Sequence, residues 1–113
     1  MHGILSTLHD LRPVQGTVTA VIGYWNVGWS GAVGRAQGVV YVRNARLLTD
    51  AVNQVLERAS AAGGAVYVDA YAAFGSDDST TTDLLTDDGD HPNDRGHDAL
   101  ARAVVSAVRA AGR

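Results

Sequence analysis

Apolar residues recur along this chain in two rhythms, and each rhythm predicts an element. In residues 3–11, Ile4, Leu5, Leu8 and Leu11 stand about one helical turn apart. That spacing predicts a short helix, stopped by Pro13. Residues 17–24 (TVTAVIGY) are short, apolar and β-branched, which predicts a buried strand. The next stretch, WNVGWSGAVGRAQG, carries four glycines and reads as a loop. Residues 45–61 carry the clearest helical stripe, Leu48, Val52, Val55, Leu56 and Ala59, ended by Gly63-Gly64. Residues 65–69 (AVYVD) predict a second buried strand. Residues 75–90 are acidic and rich in Ser, Thr and Gly, and read as a loop. Asn93 or Asp94 can cap a last helix, whose stripe is Leu100, Val104, Ala107, Val108 and Ala111.

Strands alternating with amphipathic helices predict an α/β fold with parallel strands. In such sheets, sites gather beyond the carboxyl ends of the strands. The glycine-rich loop after residues 17–24 and the acidic loop after residues 65–69 both leave from that edge.

Composition adds bounds. At 113 residues the chain holds one domain at most. A hydrophobic share of 46% with 19% charged residues is ordinary for a globular protein. The net charge of −3 and scattered basic residues argue against nucleic acid as a partner. All nine basic residues are Arg, and Ala and Gly are abundant, a composition of GC-rich, bacterial-like coding. There is no Cys, so thiolate chemistry and disulfides are excluded. No apolar run is long enough to span a membrane, and the first residues lack the layout of a signal peptide. The compartment is left open.

Chemistry concentrates in DDGDHPNDRGHDALA, residues 87–101. Asp88 and His91 are three apart in one loop, close enough for a carboxylate to orient an imidazole. Asp87 and Asp90 are rival carboxylates, but an extended backbone would point Asp90 away from the ring. Pro92 restricts His91 to extended conformations, and Asn93 opens the helix that anchors the loop. A serine hydrolase needs an imidazole held in one tautomer by an acid. A Ca²⁺ site among Asp77, Asp78, Asp83, Asp87, Asp88 and Asp90 lacks the EF-hand spacing and its closing Glu. His91 and His97 are poorly spaced for a shared zinc. No metal or cofactor is expected.

DGDHPNDRGHDALA resembles the last block of SGNH/GDSL-type hydrolases, in which Asp-x-x-His-Pro-Asn precedes the final helix. TVTAVIGYWNVG is similar to a late strand of that fold with its loop, and GGAVYVDAYAAF to its last strand. The resemblance implies a partial three-layer, flavodoxin-like α/β fold, with residues 1–113 as the C-terminal portion of one domain. It implies hydrolysis of small-molecule, lipid or carbohydrate esters, with Asp88 as orienting acid and His91 as base. Gly96 then serves close packing at the start of the last helix, and His97 is structural. The family's Gly-Asp-Ser nucleophile block and Gly-x-Asn-Asp oxyanion block are absent from these residues.

Ser30, in GWSG, is the best substitute nucleophile, yet position 32 is Ala rather than the Gly of a nucleophile elbow, and a turn role is expected. Ser76 and Ser79 are weaker candidates. Tyr24, Trp25, Asn26 and Trp29 are candidates to border a substrate pocket. The expectation is therefore a chain with little activity alone, completed by a missing N-terminal half or by self-association. The alternative is a non-catalytic docking or pseudo-enzyme half-domain.

Overall fold

A parallel pair of three-residue strands carries the architecture. In the computed structural model, which describes residues 2–11, 16–25, 28–75 and 83–112, β1 is Ala20–Ile22 and β2 is Val66–Val68. They pair parallel, with Ala20 opposite Val66 and Ile22 opposite Val68. Each is shorter than its apolar run, but the ladder continues beyond both. Val66 N–H donates to the Thr19 carbonyl, and Gly23 N–H to the Val68 carbonyl, each at 2.9 Å. Parallel strands need a crossover. Here it is made by α2 (Gly31–Gln37) and α3 (Val39–Ala62). Helix α4 (Ala70–Phe74) follows β2, and α5 (Asp94–Ala111) closes the described chain. Helix α1 (His2–Asp10) packs on α3, while α3 and α5 each pack on both strands. This establishes an α/β fold with a small parallel sheet.

The helix expected at 3–11 is found, and Pro13 lies outside the described residues. The expected loop at 25–38 is corrected, because residues 31–37 are helical. Gly34 read as a loop signal, but it is a packing residue. A Cβ there would stand 2.1 Å from the Trp29 carbonyl oxygen. The long helix starts at Val39 rather than near 45. Its first turns are β-branched, which lowers helix propensity only slightly, and packing against α2 offsets that cost. Helix α4 was not expected. Asp69 follows β2 and caps α4, its carboxylate accepting from Ala72 N–H at 2.9 Å.

The buried apolar side chains among the described residues are Leu5, Trp29, Val68, Ala70, Phe74 and Leu85. Half of them sit at the carboxyl edge of the strands, where Trp29, Phe74 and Leu85 support the loops. The predicted stripe of α3 is only partly covered, since Leu48 and Val55 are exposed.

Candidate active site

The loop leading into α5 is folded on itself before it holds any chemistry. Thr86 N–H donates to the His91 carbonyl at 2.8 Å, and Asn93 N–H to the Leu84 carbonyl at 3.0 Å. Leu85 and Pro92 form an antiparallel bridge between these bonds. Asn93 locks the base of the loop with its whole amide. Its Oδ1 caps α5 by accepting from Gly96 N–H, and its Nδ2 donates to the carbonyls of Asp83 and Leu85, each at 3.0 Å. Gly96 permits this closure. A Cβ there would meet the Leu84 carbonyl oxygen at 2.2 Å. At the tip, Gly89 has φ of +70°, which L side chains rarely adopt.

Within this frame the Asp88 carboxylate meets the His91 ring, with Oδ2 2.7 Å from Nδ1. Its other oxygen, Oδ1, accepts from Thr86 Oγ1 at 2.6 Å, Asp90 N–H at 2.9 Å and His91 N–H at 3.0 Å. The carboxylate is therefore saturated on one oxygen and aimed by the other. The Thr86 hydroxyl, then the Asp90 and His91 amides, hold Asp88 well below the usual carboxylate range. The hydrogen bond to Asp88, and then the charge of that carboxylate, raise His91 above the ordinary histidine value. An ionised carboxylate can only accept, so Nδ1 carries the proton and Nε2 presents a lone pair. The His91 side chain is 74% exposed, and Nε2 has no partner among the described residues. Of the rival acids, Asp90 contributes its backbone to the arrangement. Asp87 is exposed and makes no such contact among the described residues.

Residues after β1 brace this loop. The Trp25 indole N–H donates to the Asp90 carbonyl at 2.9 Å, and its ring stacks on Phe74 at 5.6 Å. Gly28 N–H donates to the Gly89 carbonyl at 2.9 Å. Tyr24 is half exposed and borders an apolar groove of about 580 Å³ with Tyr41, Leu48 and Val52. Asn53 of α3 grips the Tyr24 backbone from both sides, donating to its carbonyl and accepting from its N–H. Trp29 is buried, with the Arg46 guanidinium 4.3 Å from its ring centre. Asn26, Ser76, Ser79, Asp77 and Asp78 lie outside the described residues. Ser30 is buried at the start of α2, and its hydroxyl has no partner among the described residues. An enclosed hydroxyl is poorly placed to attack a substrate. His97 is exposed. Among the described residues, no three of His, Asp or Glu gather as a metal-binding group.

Sequence reasoning overlooked Thr86, Asn53 and the full reach of Asn93. A hydroxyl two residues before the acid was the available sign for Thr86. Nothing local marked Asn53, whose partner lies 29 residues away.

Comparison with known proteins gives one finding. The model of the GDSL-like lipase/acylhydrolase family matches residues 4–99. No curated protein and no solved structure matches.

Proposed function

The chain belongs to the GDSL-like lipase/acylhydrolase family, and from that membership we propose that it carries the acid–base half of a serine ester hydrolase. The observation that carries the reading is the 2.7 Å contact of Asp88 Oδ2 with His91 Nδ1, beside an exposed ring whose Nε2 has no partner among the described residues. In this reading, Nε2 takes the proton of a serine hydroxyl as that oxygen attacks the ester carbonyl. The resulting imidazolium is stabilised by Asp88 and returns the proton to the departing alcohol. The serine and the oxyanion donors come from outside residues 1–113. Residues 1–113 form the C-terminal portion of one domain, whose strands extend the small sheet into a three-layer, flavodoxin-like fold. Substrates are small-molecule, lipid or carbohydrate esters.

The test is hydrolysis of a p-nitrophenyl ester by this chain alone and by the chain mixed with a segment bearing Gly-Asp-Ser and Gly-x-Asn-Asp blocks. Little turnover is expected alone, and turnover is expected on mixing. His91→Ala should then abolish it. Equal rates for the mixed wild type and His91→Ala would defeat the assignment.

A second reading, a non-catalytic docking domain, draws on the apolar residues left exposed on α1, β1 and α3, among them Ile4, Leu8, Ile22 and Leu47. Binding to the supplied segment without any hydrolysis would favour it.

A further inference from the structure

The turn between α2 and α3 gathers basic residues that are scattered in the sequence. Arg35 of α2 and Arg43 and Arg46 of α3 line one groove of about 430 Å³, together with Trp29, Gly38 and Val39. Among the described residues, no acidic side chain lines it. Among the described residues, none of the three guanidinium groups forms an ion pair with a carboxylate. Arg46 instead lies over the Trp29 ring, which holds its guanidinium plane in place. The groove also contains the amino end of α3, a helix of 24 residues. That end has Gly38 as its cap, no side-chain cap bond and no acid in its first turn. Its dipole favours negative charge, opposed in part by the carboxyl end of the shorter α2, which Gly38 also caps. Trp29 Nε1 is buried and has no partner among the described residues. The lining thus offers guanidinium donors and positive charge, with no carboxylate among the described residues that form it.

We propose that this groove binds a phosphate group. Guanidinium forks match a tetrahedral oxyanion through paired N–H donors. Three cations and a helix amino end exceed what a single carboxylate would balance. The phosphate is either free or part of a small phosphomonoester. The site stands apart from the Asp88–His91 pair. Helix α2 lies between them, with Val33 against Gly89 of the loop and Arg35 on the groove. The proposal therefore holds whether or not His91 acts as a base.

The test is nuclear magnetic resonance titration of the full chain with inorganic phosphate and, in a second arm, with glycerol 3-phosphate. Chloride at matched ionic strength is the control. The expected result is a saturable shift of the Trp29 indole N–H signal, identified with Trp25→Phe. Arg35→Gln with Arg43→Gln should weaken binding roughly tenfold or more, while Arg102→Gln on α5 should leave it unchanged. Tighter binding of the ester than of free phosphate would place an organic moiety in the groove, and equal binding would identify phosphate alone as the ligand. Arg35 and Arg43 are exposed, so their replacement tests binding without threatening the fold. Phosphate shifts no larger than those of chloride, or binding untouched by the double substitution, would overturn the proposal.

Discussion

Asp88 and His91 shift each other's protonation in opposite directions, and the consequences can be measured. Folding raises the His91 pKa through the Asp88 hydrogen bond. The stabilisation from this group is thus complete below the unfolded histidine pKa and is lost as pH rises through the folded one. Folding lowers the Asp88 pKa, so its contribution is present above the unfolded carboxylate pKa and is lost as pH falls through the folded one. Both groups are exposed, and solvent screens the pair. Asp88→Asn should move the His91 titration, followed by ring proton shifts, towards lower pH. An unmoved titration would show that the contact does not persist in solution. A general base must be neutral, so hydrolysis by a reconstituted enzyme should rise with pH through the raised His91 pKa. Asn93→Ala removes a helix cap and two loop closures together. It should cost about 1 kcal/mol or somewhat more, read from the urea midpoint. His97→Ala, at an exposed ring, should stay within about 0.5 kcal/mol of wild type.

At the scale of elements, α5 and the loop before it act as one unit. The helix amino end is tied through Asn93 to Asp83 and Leu85, and the loop tip is tied through Gly89 and Asp90 to the residues after β1. The imidazole therefore stands between a helix and a strand end, both packed on the same sheet. Gly96 is where this packing is tightest. Gly96→Ala forces its methyl into the Leu84 backbone and should cost about 1–3 kcal/mol in thermal or urea unfolding. Gly3→Ala on α1, with nothing within 4 Å of the new methyl, should not destabilise. Equal effects at the two sites would show that the close approach at Gly96 can relax.

For the whole molecule, the radius of gyration of 15.6 Å exceeds the roughly 13 Å expected of a compact domain near this size. The excess agrees with a two-stranded sheet and with long apolar side chains facing water on α1, β1 and α3. Parallel sheets are ordinarily covered on both faces, and free strand edges invite pairing. The chain should therefore associate as concentration rises, which sedimentation or light scattering would show. Leu47→Glu with Leu48→Glu should reduce that association. No helix among the described residues is long and apolar enough to cross a membrane.

The sequence alone determined the local features. Periodicity marked α1, the body of α3 and α5, because a helix buries residues at a spacing visible along the chain. Spacing and Pro92 marked Asp88 and His91, because their contact spans only three residues. What needed the tertiary structure were contacts across the chain. The indole of Trp25 reaches Asp90, 65 residues away, and Asn53 grips Tyr24 across 29. Gly34 read as a loop residue until the Trp29 backbone pressing on it was placed, and the Leu84 carbonyl that crowds Gly96 was not legible either. The arginine groove likewise exists only once Gly38 turns α2 onto α3. Such contacts leave no period in the sequence, since the partners are set by how elements pack rather than by their distance along the chain.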